Sequence, residues 1–316
     1  MKGRCVVLNA ARMNYDGKLD MSVLAPEVVT YDVTEQDQIL ERIQDADIVV
    51  TKEMPVDGAT IAAFPDSVKL ICEAGTGYNN IDIQAARDKG ITVCNIPAYS
   101  TQRVAHTAIM MILNLSSSMQ IQQAMLAKGD RRNFTECMKV DHVEVNDKTL
   151  GVIGAGNIGR EVIKVGQALG MKVLAYTRSP HEDEENLKYV PLDTLLAESD
   201  YISLHCPLTP QTRHLIDDAA IAKMKPTAFI INTGRGALID EPALIRALKE
   251  GRIGGAGLDV QETEPPAQDN PLYELPNVVL TPHMGWKGLE TRQRLVAILS
   301  DNIKGFLNGQ PINVVS

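Results

Sequence analysis

Long apolar runs are missing from this chain. No stretch reaches the roughly 18 residues that a membrane-spanning helix needs, so none is expected. The first residues lead straight into Cys5-Val6-Val7-Leu8, a run too short for a secretion signal and better read as a first strand. Cysteine is sparse: Cys5, Cys72, Cys94, Cys137 and Cys206 are odd in number and form no CxxC pair. That argues against a disulfide framework and a zinc site; no metal is expected, and a reducing cytoplasm fits. Positive charge is also short. A formal net charge of −9 argues against nucleic acid as a partner. Internal repeats and low-complexity tracts are absent, and the acidic run at 182–185 reads as a solvated loop.

What is present is alternation. With 316 residues, 44% of them apolar, the chain has room for two domains, each with its own core. β-Branched runs at 5–9, 28–31, 47–51, 68–72 and 92–95 alternate with helical patterns such as 35–43 and 83–89. A long, largely apolar helix is expected from 101 to about 127, capped by Ser100 or Thr101 and buried. A second series follows, with strands expected at 149–153, 172–176, 201–204, 228–232, 256–260 and 278–281. The chain then closes on a helical stretch at 288–307 and an extended one at 311–315. The expected class is α/β: two Rossmann-like domains with parallel sheets flanked by helices and a cleft between them.

Gly154-Ala155-Gly156-Asn157-Ile158-Gly159 is a GxGxxG. Alone it is weak, but here it follows an apolar run and opens a helical stretch, the setting a dinucleotide fingerprint needs. Gly154 makes the tight turn, Gly156 lets backbone approach a pyrophosphate, and Gly159 packs helix on strand. The diphosphate then sits at the helix N-terminus, where free N–H groups favour an anion. An acid that binds the ribose is expected about 20 residues past the first glycine. Thr177, Arg178 and Ser179 stand there instead, with no carboxylate. Thr177 cannot repel a 2′-phosphate, and Arg178 and Ser179 can bind one, so NADP is favoured over NAD. The alternative is that Arg178 is solvated and Glu182 or Asp183 folds back to the ribose.

Three later segments each follow a strand of the second series: Asn232-Thr233-Gly234-Arg235-Gly236, Asp259-Val260 through Glu264-Pro265, and Thr281-Pro282-His283. In an open α/β sheet ligands bind beyond the carboxyl ends of strands, so these segments converge. Together with the fingerprint they resemble the D-isomer-specific 2-hydroxyacid dehydrogenase family, over nearly the whole chain. Thr76-Gly77-Tyr78-Asn79-Asn80-Ile81-Asp82, Asn95-Ile96-Pro97-Ala98-Tyr99-Ser100-Thr101 and the closing Pro311-Ile312-Asn313-Val314-Val315 are similar to its glycerate dehydrogenase (hydroxypyruvate reductase) branch. The resemblance implies Arg235, Glu264 and His283 as catalytic residues. It implies that the loop of Gly75, Thr76 and Gly77 holds the substrate carboxylate, with Arg235 and His283 also on the substrate. It places His205, Cys206, Pro207, Thr212, Thr233, Gly234 and Asp259 on the cofactor, beside the fingerprint and Thr177, Arg178 and Ser179. Residues 1–99 with 287–316 then make the substrate-binding domain and 100–286 the dinucleotide-binding domain. A homodimer is implied, with the helix after Thr101 near the contact. Departures are His106 where the family often carries Glu or Gln, Glu73 where an apolar residue is common, and Met284-Gly285-Trp286 after His283.

The implied chemistry is hydride transfer between NAD(P)H and a small 2-keto acid, hydroxypyruvate or glyoxylate. His283 is the acid for the keto oxygen, because imidazole changes charge near neutrality. Glu264 orients the ring and favours its protonated form. Arg235 pairs with the carboxylate and polarises the carbonyl, through a planar fork that lysine lacks. His106, His142, His181 and His214 are read as structural; His205, at a strand end, is an intermediate case. Two other readings stand beside this one: a dehydrogenase for lactate or 3-phosphoglycerate, and a non-catalytic dinucleotide-sensing corepressor-like protein. No long C-terminal extension and no extra basic cluster speak for the phosphorylated substrate.

Overall fold

The structure, a computed structural model, describes residues 3–179 and 181–316. It divides into two compact units, Met1–Ser100 with Trp286–Ser316, and Thr101–Gly285.

In the first unit, β1 (Arg4–Val7), β2 (Glu27–Thr30), β3 (Ile48–Thr51), β4 (Leu70–Glu73) and β5 (Thr92–Cys94) form a parallel sheet in the order β2-β1-β3-β4-β5. β3 and β4 are buried at every position, the continuous run of strands covered on both faces. Alternate side chains serve separate cores. Cys5, Val7, Val50 and Cys72 pack with Leu295, Leu299 and Ile303 of the helix Leu289–Leu307. Val6, Val49 and Ile71 pack on the other side with Ile39, Ile61 and Ala86. The helical stretch expected at 35–43 is a 3-10 turn, Gln36–Gln38, followed by one short helix, Ile39–Arg42.

In the second unit, β6 (Thr149–Ile153), β7 (Lys172–Tyr176), β8 (Leu187–Tyr189), β9 (Tyr201–Leu204), β10 (Phe229–Asn232), β11 (Gly255–Leu258) and β12 (Val278–Leu280) are all parallel. Their order is β12-β11-β10-β9-β6-β7-β8. The chain builds outward from β6 through β7 to β8, then crosses to β9 on the other side. The strand order therefore reverses between β6 and β9, where open sheets take ligands.

The single helix expected over 101–127 is two, Thr101–Ser116 and Met119–Ala127. The break falls on Ser116-Ser117-Ser118. Ser116 Oγ bonds back to the Leu113 carbonyl at 3.0 Å and Ser118 Oγ to that of Asp141 at 2.7 Å, with Ser118 at φ 47°. The local bond of Ser116 competes with the helical ladder, and the one from Ser118 ties the break to a distant loop. The first helix buries Val104, Ala108, Met111 and Leu115 and packs on β10, β11, β12 and the helix Asn157–Ala168. Among the described residues no helix is long and apolar enough to cross a membrane.

Candidate active site

The glycine turn follows β6 directly. Gly154 has φ +97°, and a β-carbon there would lie 2.6 Å from the Cys206 amide nitrogen. At Gly156 a β-carbon would meet nothing within 4 Å, which leaves open space over the turn. At Gly159 it would collide with the Gly154 carbonyl. The three glycines thus have three different reasons: a left-handed turn against β9, room for a ligand, and contact of helix with strand. Gly156 caps the helix Asn157–Ala168 with no side-chain acceptor, so its first amides remain available to a diphosphate. On this geometry the turn fits a dinucleotide.

Around it lie the other residues expected at a cofactor. His205 donates its amide to the Ile153 carbonyl at 2.8 Å, and its Nε2 lies 2.8 Å from Ser203 Oγ. Burial pushes its imidazole down to about 4, so the ring is neutral at working pH. Burial also pushes the Cys206 thiol up to about 11, which removes it as a nucleophile. Thr212 holds its own loop together through Pro207 O at 2.7 Å. Thr233 Oγ1 is buried and has no partner among the described residues, an orphan that a bound ligand can satisfy. Thr177 Oγ1 bonds to Ser179 O at 2.6 Å, and Arg178 is exposed.

β10, β11 and β12 are neighbours, and the catalytic candidates stand on the turns beyond their carboxyl ends. His283 Nδ1 lies 2.8 Å from Glu264 Oε2, and Glu264 Oε1 accepts the Gln261 amide at 3.0 Å. Arg235 is half-buried on the adjacent turn, where its Nη1 donates to Gly234 O at 2.9 Å. The next residue, Gly236, packs so closely that a β-carbon would overlap the Gln261 carbonyl group. The Arg235 turn therefore touches the Glu264 turn through backbone.

Two buried residues brace these turns, Asn232, to which sequence pattern assigns no role, and Asp259. Asn232, 1% exposed, donates to Arg235 O at 2.9 Å and accepts from Gly234 N at 3.0 Å, which shapes the arginine turn. Asp259 was expected on the cofactor. It is 1% exposed; its carboxylate accepts from Thr281 Oγ1 at 2.5 Å, Met284 N at 2.8 Å and Gly285 N at 2.7 Å. These bonds hold the segment that presents His283, whose own amide donates to Asp259 O at 2.9 Å with φ 48°.

In the first unit, the Gly75 carbonyl accepts from Ile96 N at 2.9 Å and the Thr76 carbonyl from Asn95 Nδ2 at 2.8 Å. The amides of Gly75, Thr76 and Gly77 donate to no acceptor among the described residues. A loop with pinned carbonyls and open amides suits a carboxylate. Below it lies a charged cluster that pattern alone does not reveal. Glu73 is fully buried and accepts from Thr51 Oγ1 at 2.8 Å, Glu53 N at 2.9 Å and Asn80 Nδ2 at 3.0 Å. Burial pushes its carboxyl up, against the opposing pull of Lys52. Lys52, 2% exposed, sits 3.9 Å over the Trp286 ring and 2.7 Å from Glu53 Oε1. A β-carbon on Gly75 would lie 3.2 Å from Glu73 Oε1 and 3.3 Å from Lys52 Nζ. The departure at Glu73 is thus a buried, fully bonded carboxylate that organises the strand ends under the loop.

Comparison with known proteins places these features in one group. Residues 109–285 match the model of the D-isomer specific 2-hydroxyacid dehydrogenase, NAD binding domain. A hydroxypyruvate reductase from Blautia hydrogenotrophica is 39% identical, over 99% of this chain and 99% of that one. A glycerate dehydrogenase from Methylorubrum extorquens is 40% identical over 88% of each. Among solved structures, a D-lactate dehydrogenase with NAD+ from Lactobacillus jensenii superposes with a TM-score of 0.80 at 30% identity, over 99% of each chain.

Proposed function

Because the chain belongs to the D-isomer specific 2-hydroxyacid dehydrogenase family, and is an oxidoreductase that uses a nicotinamide dinucleotide, we propose that it reduces hydroxypyruvate or glyoxylate, with NADPH preferred over NADH. The carrying observation is the His283–Glu264 pair at 2.8 Å, on the same sheet edge as the glycine turn. The bound nicotinamide supplies or takes the hydride. His283 delivers the proton to the keto oxygen as negative charge develops there. Glu264, fixed by the Gln261 amide, orients the ring so that the nitrogen remote from it faces the substrate. Arg235 pairs with the substrate carboxylate and polarises the carbonyl, and in the first unit the open amides of Gly75, Thr76 and Gly77 suit a carboxylate. The relatives named hydroxypyruvate reductase and glycerate dehydrogenase support the small substrate.

For the cofactor, the end of β7 carries Thr177, Arg178 and Ser179, where an acid would repel a 2′-phosphate. Of the two acids that could fold back to the ribose, Glu182 is exposed and Asp183 is engaged in its own loop, as is the neighbouring Glu184. Asp183 accepts the Tyr189 amide at 2.8 Å, and Glu184 pairs with Arg160 at 2.6 Å. The exposed Arg178 is the group we assign to a 2′-phosphate at this strand end. One assay series tests both parts: wild type and Arg178→Ala, with NADPH and NADH, against hydroxypyruvate, glyoxylate, pyruvate and phenylpyruvate. The expected result is preference for the first two acids. Arg178→Ala raises KM for NADPH about 10-fold, the worth of one charge-assisted contact, and barely moves NADH. Equal loss with both cofactors removes the phosphate contact. Preference for phenylpyruvate removes the small substrate, and cofactor binding without turnover of any acid removes the enzyme.

The partner we propose is a second copy of this chain. An open groove of about 560 Å³ beside the helix Thr101–Ser116 is lined by Ile109, Met110, Leu113, Met119 and Val165. Leu113 and Met119 are exposed there, apolar surface that association would cover. Light scattering should give twice the chain mass; a monomer at micromolar concentration sinks this assignment.

A further inference from the structure

His214 occupies an unusual position. It is one of the non-glycine residues with left-handed backbone, at φ 52°. Its amide donates to Ala237 O at 2.8 Å, in the 3-10 turn Gly236–Leu238 just behind Arg235. Its Nε2 lies 2.7 Å from Glu262 Oε1, two residues before Glu264. The same oxygen accepts Arg213 Nη2 at 2.9 Å. Glu262 is tied at a second point, because its amide donates to Glu241 Oε2 at 3.0 Å. The other oxygen of Glu241 accepts Asn270 Nδ2 at 2.8 Å.

We propose that the His214–Glu262 pair, assisted by Arg213, is a clamp that holds the Arg235 turn and the Glu264 turn in register, and that Glu262 and His214 are positioning residues for the reaction. The clamp acts at a distance from the chemistry. Neither residue is required to touch substrate or cofactor. Glu264 can keep its 2.8 Å approach to His283 only while the turn of residues 261–264 stays where Gly236, Glu241, Arg213 and His214 fix it. A left-handed backbone on a residue other than glycine persists only where its surroundings over-determine it. Here both its amide and its side chain are used, one on each catalytic turn. This inference rests on the catalytic reading of Glu264 and His283.

The test is a double-mutant cycle on the intact protein. Glu262→Ala is expected to lower kcat about 10- to 100-fold, the range for a small misplacement of a reacting group. KM for the keto acid and the dissociation constant of the reduced nucleotide are expected to stay unchanged. Glu262→Gln, whose carbonyl oxygen can still accept from Arg213 and His214, should recover most of the rate. In a Glu264→Gln background, Glu262→Ala should cost little more, because the two act through one group. Should Glu262→Ala fail to fold, His214→Ala reads the same cycle from the other partner. Full activity of Glu262→Ala and His214→Ala overturns the clamp, and so does a loss that simply adds to that of Glu264→Gln. If the wild type turns over no 2-keto acid, the catalytic reading falls. If it is active and Glu264→Gln is impaired while the clamp variants are not, only the clamp falls.

Discussion

Replacing His283 with asparagine is expected to lower kcat for keto-acid reduction about 10²- to 10⁴-fold, the contribution of a positioned general acid. Binding of the reduced nucleotide survives, and the thermal midpoint does not move. Asparagine is the informative choice because His283 sits at φ 48°. Asparagine tolerates that left-handed region better than most residues, so the variant removes the imidazole without new backbone strain. The segment is also held independently of the ring. Asp259 accepts the Met284 and Gly285 amides at 2.8 and 2.7 Å, and the His283 amide reaches Asp259 O at 2.9 Å. Loss of rate with an intact fold is therefore a statement about chemistry. His283→Ala should lose as much rate but a little stability too. Glu264→Gln should fall between, since an amide can still orient the ring but makes a weaker hydrogen bond to it than a carboxylate does. Stopped-flow hydride transfer with saturating keto acid measures the step, and fluorescence quenching by the nucleotide measures binding. A His283→Asn enzyme that keeps a third or more of the wild-type rate, at roughly that threshold, removes histidine as the acid.

Much of this molecule is readable before any coordinates. Parallel strands buried on both faces are written as runs such as Ile48-Val49-Val50 and Leu150-Gly151-Val152-Ile153, and the two sheets follow from their alternation with helices. The fingerprint glycines are legible because each answers a local steric demand. What escapes is long-range or competitive. β8 is three residues long and stands at the sheet edge just after the acidic run, so its apolar signal is one buried leucine. The break after Ser116 is lost in a hydrophobic pattern that continues on both sides. The cluster of Lys52, Glu53 and Glu73 joins the ends of β3 and β4, and no spacing in sequence announces it. Asp259 is visible as a motif residue, but its use as an acceptor for residues 281–285 depends on β11 and β12 lying side by side. His214 and Glu262 lie 48 positions apart and meet only because the turns after β9 and β11 fold over the same strand end.

Gly236→Ala is expected to damage both stability and catalysis. A β-carbon there overlaps the Gln261 carbonyl group, and backbone cannot swing aside as a flexible side chain does. Relief requires the turn of residues 261–264 or the 3-10 turn Gly236–Leu238 to move. Overpacking of this kind costs about 3 kcal/mol or more. For a domain of this size that lowers the thermal midpoint by about 6–12 °C. The displaced turn carries Glu264, so kcat should drop by about 10²-fold even below the melting range. Gly156→Ala supplies the contrast. Its β-carbon meets nothing within 4 Å and its φ is −77°, so the fold has no objection. The new methyl group instead takes the space over the glycine turn, and the expected effect is weaker nucleotide binding with an unchanged melting temperature. Calorimetry on the two variants, paired with nucleotide titration, separates the glycine that the fold requires from the one that the ligand requires. A Gly236→Ala protein with wild-type midpoint and rate would mean that the Arg235 and Glu264 turns are not in backbone contact, and the clamp across them would have nothing to hold.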